Sequence, residues 1–284
     1  MVRTGRFAGS GVTLAADIGG DPAAPPVILM HGGGQTRGSW GESAKGLVRA
    51  GYHVISFDLR GHGESDWAAD GDYRLDAFVA DLHRVIATLS RPPALVGASY
   101  SGFAALIAVG ENETPLASAL VLVDVTPTVD EDGAESIIRF MESAPHGFGS
   151  IEEAADAVSA YLPHRPRPRG SGGLARNLRK RADGRYYWHW DPEFIRAVRR
   201  ERVFDGPRLS EAARRVKIPT QLIRGSHSEV VTAEAVAHFR HLMPASEYAE
   251  VGAARHMIAG DSNHGFAAIV GDFLDRHLMQ DGRG

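Results

Sequence analysis

One short segment constrains the fold more than any other part of the chain: Leu-Val-Gly-Ala-Ser-Tyr-Ser-Gly-Phe at residues 95–103. An apolar strand ends there, the chain turns sharply around Ser99, and a helix of small residues begins. Such a turn strains the backbone of its central residue. The turn can form only if the residues two positions before and after are small, and here these are Gly97 and Ser101. The turn would present the Ser99 hydroxyl at the carboxyl edge of a sheet, beside a helix N-terminus that favours negative charge. As an alternative, the segment is an ordinary Gly/Ser turn in which Ser99 caps the helix.

The chain around this segment alternates short apolar runs with amphipathic segments, which is typical of an α/β protein. The two runs at residues 3–8 and 12–17 flank Gly-Ser-Gly and predict an opening β-hairpin. Apolar residues three and four positions apart predict a helix over residues 74–89. Short apolar runs that predict further strands lie at residues 27–30, 52–57, 94–96, 119–123, 219–224 and 247–251.

The middle of the chain differs from its two ends. From about residue 126 to residue 215 the strand pattern disappears, and helical pieces alternate with loops rich in Pro and Gly. We therefore predict one core formed by residues 1–125 and 216–284, with residues 126–215 inserted between two core strands as a helical cap. A chain of 284 residues, 43% of them hydrophobic, is long enough to bury such a core.

Composition excludes several classes of site and partner. The absence of cysteine excludes a disulfide framework, a thiol nucleophile, an iron–sulfur cluster and a zinc site with cysteine ligands. The 31 basic and 35 acidic side chains nearly balance, which argues against a nucleic-acid partner. Neither the N-terminus nor any aliphatic run resembles a signal peptide or a membrane span, so we expect a cytoplasmic protein without a membrane partner. We also expect no metal and no cofactor, and the oligomeric state stays open.

Two glycine-rich motifs precede the Ser99 segment. Residues 27–34 form a predicted strand followed by His-Gly-Gly-Gly, and residues 57–65 read Phe-Asp-Leu-Arg-Gly-His-Gly-Glu-Ser. Glycines let backbone amides approach a bound oxygen, as an oxyanion hole requires, although a flexible glycine turn has the same composition. Two later motifs follow: an apolar run ending in aspartate at residues 120–124, and Gly-Ala-Ala-Arg-His-Met at residues 252–257. Together with the Ser99 segment and the two glycine-rich motifs, they resemble in order and spacing the motifs of the α/β-hydrolase superfamily. The resemblance covers nearly the whole core, and Ser101 departs from its usual G-x-S-x-G pattern.

The resemblance implies the α/β-hydrolase fold, with a mostly parallel sheet, helices on both faces and an inserted helical cap. It also implies the chain order nucleophile, acid, histidine, with Ser99 as the nucleophile and His256 as the general base. For the acid it favours Glu229, which follows the strand predicted at 219–224. The alternative acid is Asp124, at the end of the preceding core strand.

Backbone amides and cap side chains complete the expected site. The resemblance implies an oxyanion hole formed by the amides of Gly33 and Tyr100. The cap carries a dense aromatic cluster, which would line a pocket for an apolar or aromatic acyl group if it faces the site. As an alternative, these rings form the cap's own core. The candidate pocket residues are His31, Gly34, Tyr187, Trp188, Trp190 and Met257.

We therefore expect a serine hydrolase that cleaves a small-molecule ester, thioester or lactone through a Ser99 acyl-enzyme. One alternative is a carbon–carbon bond hydrolase or perhydrolase with the same triad, and another is a non-hydrolytic ligand-binding or receptor protein on the same fold. Epoxide hydrolases and dehalogenases use a carboxylate nucleophile, so the serine disfavours them. The stretch between residues 163 and 185 carries eight Lys or Arg side chains and is either a solvated face or a surface that steers anionic substrates.

Overall fold

The computed structural model describes residues 2–163, 171–201, 206–258 and 263–278. Its strands are β1 (Arg3–Ala8), β2 (Thr13–Gly19), β3 (Pro26–Met30), β4 (His53–Phe57), β5 (Ala94–Ala98), β6 (Ala119–Val123), β7 (Leu178–Lys180), β8 (Tyr186–Trp188), β9 (Thr220–Gly225) and β10 (Glu247–Val251). Its α-helices are α1 (Gly41–Arg49), α2 (Leu75–Ile86), α3 (Tyr100–Gly110), α4 (Glu131–Glu142), α5 (Ile151–Tyr161), α6 (Ser171–Leu174), α7 (Pro192–Glu201), α8 (Gly206–Arg215), α9 (Ala233–Leu242) and α10 (Asn263–Leu278). Short 3-10 turns occupy Arg37–Trp40 and Ala175–Asn177. None of the helices in these described ranges is long and apolar enough to cross a bilayer.

Eight strands form one sheet in the order β1-β2-β4-β3-β5-β6-β9-β10. The opening hairpin pairs β1 with β2, and β2 pairs with β4, both in antiparallel fashion. The remaining pairs of neighbours, along the order β4-β3-β5-β6-β9-β10, are all parallel. This arrangement confirms the predicted hairpin and the mostly parallel sheet. Because β3, β5, β6 and β9 are adjacent, the loops that follow them meet at one carboxyl edge.

The central strands are buried on both faces, as their continuous apolar sequences predict. Side chains alternate along β3, so Ile28 joins the core cluster that contains residues of α2, α3 and α8. Its neighbours Val27 and Leu29 join the cluster on the other face, which includes Phe266 and Phe273 of α10. The two helical layers therefore hold the sheet rigidly beneath its carboxyl edge.

The segment between β6 and β9 contains α4 to α8 and a second small sheet. The expectation that this segment has no strands is wrong, because β7 and β8 pair in an antiparallel hairpin. Three-residue strands are too short to produce a recognisable alternation of apolar and polar residues. Helix α8 lies within the predicted cap span but packs on α3 of the core. The two helices approach so closely that a Cβ on Gly110 of α3 would lie 2.3 Å from the carbonyl oxygen of Ala212 on α8. Residues 164–170 and 202–205 of the predicted cap lie outside the described residues.

A buried ion pair fixes the loop that follows β4. Arg60 Nε and Nη2 donate to the two carboxylate oxygens of Asp81 on α2, at 2.7 and 2.8 Å. Each residue is only 2% exposed. The guanidinium also donates to the carbonyl oxygens of Ser10 and Asp72. The pair therefore joins the opening hairpin, the β4 loop and α2, and its hydrogen bonds satisfy both buried charges.

We expect Asp81→Asn to lower the free energy of unfolding by about 3–5 kcal/mol, because the buried Arg60 guanidinium would lose its charge partner. Urea denaturation followed by circular dichroism measures this change. The matched control is Glu42→Gln, since Glu42 pairs with Lys45 in an exposed ion pair. The control should change the free energy by less than about 1 kcal/mol. An equal effect of the two substitutions would contradict this assignment.

Candidate active site

Ser99 lies at a sharp turn between β5 and α3, where its φ of 50° falls in a region that non-glycine residues rarely adopt. The close approach of two glycines permits the turn. A Cβ on Gly97 would lie 2.8 Å from the Cα of Gly102, and a Cβ on Gly102 would lie 2.4 Å from Cγ1 of Val125. The sequence motif identifies Gly97 but not the role of Gly102, which lies outside the usual motif positions.

Ser101 replaces the second glycine of the usual motif and adds hydrogen bonds to the turn. Its hydroxyl donates to the carbonyl oxygen of Met30 at 2.7 Å and accepts from the amide of Ala98 at 3.0 Å. Ser101 is fully buried, so its hydroxyl requires such partners. The departure from the common pattern thus ties the turn to the end of β3 and leaves Ser99 in place.

The imidazole of His256 connects Ser99 to a buried carboxylate. Its Nε2 lies 3.0 Å from the Oγ of Ser99, and its Nδ1 lies 2.7 Å from Oδ2 of Asp124. Because the carboxylate can only accept, Nδ1 carries the proton and Nε2 is free to accept from the serine hydroxyl. The histidine follows β10 and Asp124 follows β6, so three separate strand ends supply the three side chains.

The carboxylate of Asp124 is fully buried and is held by further donors. Its Oδ1 accepts from the amide of Gly225 at 2.9 Å, and its Oδ2 accepts from the hydroxyl of Ser228 at 2.6 Å. The backbone of Asp124 has a φ of 48°, a second strained position at this edge of the sheet. These contacts fix the orientation of the carboxylate toward His256.

Glu229, the acid that the sequence favoured, does not reach the histidine. Its Oε1 lies 3.1 Å from Nη1 of Arg255, and its side chain is 44% exposed. The preceding residue, Ser228, turns inward to Asp124 instead. Since β6 and β9 are neighbours, the ends of both strands reach the same part of the sheet edge. The structure therefore corrects the preferred assignment and brings the alternative, Asp124, to His256.

The loop after β3, residues 31–35, lies against Ser99 and is the candidate oxyanion loop; the amides of three of its residues have protein partners. A Cβ on Gly32 would lie 3.2 Å from the Cβ of Ser99. The Gly32 amide donates to Oε1 of Gln35, the Gln35 amide donates to the Gly32 carbonyl, and the Gly34 amide donates to Nε2 of His62. Within the described residues, the Gly33 amide donates to no protein group.

The amide of Tyr100 is the second unpartnered donor beside Ser99. As the first residue of α3, Tyr100 has no intrahelical acceptor for its amide, and among the described residues no other acceptor is within reach. Both Gly33 and Tyr100 line the cavity that contains Ser99. Two amides are thus available to an oxygen bound next to the serine hydroxyl.

The cavity above Ser99 has a volume of about 110 Å³ and a mostly apolar lining. The core contributes residues of the β3 and β5 loops, and the cap contributes α4 and α7. Three of the six predicted pocket residues line it: Gly34, Trp190 and Met257. The core and the cap therefore form the site jointly.

His31, Tyr187 and Trp188 lie outside this cavity, contrary to expectation. His31 is buried behind the loop, where its Nδ1 donates to the Gly32 carbonyl and its Nε2 accepts from the Leu59 amide. Burial lowers the pKa of His31 to about 4, so the ring is neutral at neutral pH.

The two cap aromatics belong to the cap itself. Trp188 stacks on Trp190 with ring centres 5.0 Å apart and meets Phe148 edge-on at 5.1 Å. Tyr187 points away, and its hydroxyl donates to Asp183 at 2.8 Å. Successive side chains of a strand point to opposite faces, so the aromatic run could not face the cavity as a whole. The alternative of a cap core is correct for Trp188.

A cap residue that the sequence patterns did not single out, Phe194, packs on the candidate oxyanion loop. Phe194 of α7 is 2% exposed, and its ring would lie 3.2 Å from a Cβ on Gly33. The ring also packs edge-on against Tyr100 at 5.0 Å. The apolar stripe of α7 identifies Phe194 as buried, together with Ile195 and Val198. The stripe carries no information about which element it packs against.

Two further predictions concern charged and metal-binding groups. Residues 164–170 of the basic stretch lie outside the described residues. In its described part, the guanidinium groups of Arg179 and Arg181 lie 5.0 and 6.0 Å from the centre of the Trp67 ring. The described ranges contain no group of three or more His, Asp or Glu side chains that could hold a metal ion.

Comparison with known proteins relates this geometry to a family. The sequence profile described as "alpha/beta hydrolase fold" matches residues 25–262. The esterase Rv0045c of Mycobacterium tuberculosis is 32% identical over 269 residues, which is 89% of this chain and 84% of that protein. The sn-1-specific diacylglycerol lipase ABHD11 of Mus musculus is 24% identical over 267 residues, which is 90% of this chain and 83% of that protein.

Solved structures share the fold. E-2-(acetamidomethylene)succinate hydrolase superposes with a TM-score of 0.83 at 21% identity, covering 97% of this chain and 100% of that one. At this level of identity the likeness concerns the fold alone. The profile match extends from β3 to beyond His256 and so includes the strands and loops that carry the site described above. The chain therefore belongs to the α/β-hydrolase family.

Proposed function

We propose that this protein is a serine esterase that hydrolyses small-molecule carboxylic esters through an acyl-enzyme on Ser99. Family membership and the esterase relative make the chain a hydrolase of the carboxylic ester type. The observation that carries the residue assignment is the placement of His256, within 3.0 Å of the Ser99 hydroxyl and 2.7 Å of the Asp124 carboxylate. A nucleophile, a base and a group that orients the base are the parts that acyl transfer requires.

In the first half of the reaction, the Ser99 oxygen attacks the ester carbonyl while His256 Nε2 takes the hydroxyl proton. The carbonyl oxygen becomes negatively charged and accepts from the amides of Gly33 and Tyr100, which have no other described partner. The carbon–oxygen bond to the alcohol then breaks, and His256 returns its proton to the departing alkoxide. The products of this half are the alcohol and the acylated Ser99.

In the second half, water replaces the alcohol. His256 Nε2 takes a proton from the water, whose oxygen attacks the acyl carbon, and the same two amides stabilise the second oxyanion. The bond to Ser99 breaks, the serine oxygen recovers its proton, and the carboxylic acid leaves. Throughout, Asp124 holds the proton on Nδ1 and stabilises the imidazolium that forms twice in each cycle.

The cavity lining supports an apolar acyl group of modest size. An engineered protein cavity of about 150 Å³ holds one benzene molecule, so the cavity of about 110 Å³ suits a short aliphatic chain or a small ring. The cap residues that close it, such as Ile138, Ile195 and Val198, offer no hydrogen bonds from their side chains. We therefore propose that acyl size and apolarity determine which esters are hydrolysed.

A fluorophosphonate probe tests the nucleophile. Intact mass spectrometry should show one adduct on the wild type and none on Ser99→Ala, which should also lose at least about 10³-fold in ester hydrolysis. The matched control is Ser101→Gly, which keeps the nucleophile and should still be labelled. A folded wild type that takes up no probe would contradict the esterase and favour a binding protein on the same fold.

Substitution of the two carboxylates tests the acid. We expect Asp124→Asn to reduce kcat for p-nitrophenyl acetate by about 10⁴-fold, because the amide would favour the wrong tautomer of His256. Glu229→Gln serves as the matched control and should stay within about 3-fold of wild type, since its partner is the exposed Arg255. Circular dichroism should confirm that both variants fold. A larger loss in the Glu229 variant would overturn the assignment.

Filling the cavity tests the acyl pocket. Ile138→Phe should reduce kcat/KM for p-nitrophenyl hexanoate by at least about 10-fold while leaving the acetate within about 3-fold, because only the longer acyl chain needs the lost volume. Ile151→Phe, on α5 and outside the cavity lining, is the control. Equal losses for both esters would show that the acyl group binds elsewhere.

A further inference from the structure

Three buried histidines lie in a row beneath the candidate oxyanion loop. His31, His62 and His189 are each at most 1% exposed, and their ring centres are 5.3 and 5.9 Å apart along the row. Burial lowers the pKa of His31 to about 4 and that of His62 to about 3, and it also lowers the pKa of His189. All three rings are therefore neutral at neutral pH. The mechanism above uses none of them.

Two of these rings hold the same residue of the loop. His62 Nε2 accepts from the Gly34 amide at 3.1 Å, and His189 Nε2 lies 3.3 Å from the Gly34 carbonyl oxygen. Gly34 has a φ of +74°, and a Cβ there would lie 3.1 Å from Cε of Met141. Residue 34 therefore cannot carry a side chain that would hold the loop in place. The loop is held here through the backbone amide and carbonyl of Gly34.

The hydrogen bond at Nδ1 of His189 determines whether its Nε2 donates to the loop or accepts from it. The Gly63 amide donates to Nδ1 of His189 at 2.8 Å. A neutral imidazole whose Nδ1 accepts must carry its proton on Nε2. That proton points to the Gly34 carbonyl, and His189 thus donates to the loop. The ring acts as a rigid spacer between the β4 loop and the oxyanion loop.

His189 belongs to the cap, yet its surroundings are tied to the core. The backbone amide of Asp191, two residues after His189, donates to the Gly61 carbonyl at 2.8 Å. The carboxylate of Asp191 accepts from the hydroxyl of Tyr73 at 2.7 Å. These contacts place residues 189–191 firmly on the core, at the point where cap and oxyanion loop meet. The position of the ring is therefore set independently of the loop that it contacts.

We propose that His189 is a positioning residue for the oxyanion hole, by which the cap holds the Gly33 amide in place through the carbonyl of the adjacent Gly34. The proposal rests on the proposed esterase function, because it requires the Gly33 amide to stabilise the oxyanion. A displaced loop would still bind the neutral ester but would stabilise the charged intermediate less. The loss should thus appear in kcat with little change in KM.

Three substitutions at position 189 separate the two hydrogen bonds of the ring. His189→Gln can still donate to Gly34, His189→Asn can reach only Gly63, and His189→Met fills the volume of Gln without either bond. We expect Gln to keep kcat for p-nitrophenyl acetate within about 3-fold of wild type. We expect Asn and Met each to lower kcat by about 10- to 100-fold, the effect of a displaced catalytic group, with KM within about 3-fold. His146→Met, at an exposed cap histidine, is the control and should be silent.

A transition-state mimic provides a second readout that simple loss of stability would not change. A trifluoromethyl ketone forms a negatively charged adduct with the serine, so its Ki should rise by the same factor as kcat falls. Equal kcat values for the Gln and Met variants, or a loss confined to KM, would overturn the proposal. If the Met variant does not fold, the kcat values of the Gln and Asn variants are compared instead, and equal values would overturn the proposal.

The same experiments distinguish this proposal from the esterase assignment. Fluorophosphonate labelling of wild-type Ser99 together with a silent His189→Met variant would overturn the role of His189 and leave the esterase intact. Absence of labelling in the folded wild type would remove the esterase itself, and with it the oxyanion hole that His189 is proposed to position.

Discussion

The strained backbone at Ser99 is the constraint on which the rest of the site depends. A residue with a φ of 50° persists only where its surroundings hold it, and here the close approach of Gly97 and Gly102 lets α3 start directly at the strand end. That turn places the hydroxyl above the sheet and leaves the Tyr100 amide without an intrahelical partner. The parallel neighbours of β5 then bring their own loops to the same edge, so Ser99, Asp124 and both candidate amides meet beside this turn.

The cap contacts the loop after β3 as well as covering the cavity. Phe194 packs on Gly33 and Tyr100, and His189 donates to the carbonyl of Gly34. Residues 32–34 of the candidate oxyanion loop are three successive glycines without side chains, so groups around the loop help to hold its shape. If the Gly33 and Tyr100 amides form the proposed oxyanion hole, the same contact between cap and core forms both that hole and the apolar pocket.

Sequence patterns were sufficient to predict the strands and loops of the core. They could not assign site residues where the assignment depended on the direction of a side chain. Continuous apolar runs predicted the buried strands, and the glycine and serine motifs identified the loops at the carboxyl edge. The acid could not be decided from spacing, since Asp124 and Glu229 follow adjacent strands and only Asp124 turns inward. Likewise, the aromatic run in the cap could not reveal that Trp190 lines the cavity while Tyr187 points away, because Tyr187 belongs to the short strand β8 and Trp190 lies beyond its end.

The most direct test of the account is detection of the acyl group on the enzyme during turnover. Rapid quenching of the wild type with a p-nitrophenyl ester in excess, followed by peptide mass spectrometry, reports which residue carries the acyl group. We predict an early burst of p-nitrophenol and the acyl mass on the peptide that contains Ser99. Steady hydrolysis with no acylated peptide, or an acyl group on any other residue, would contradict it.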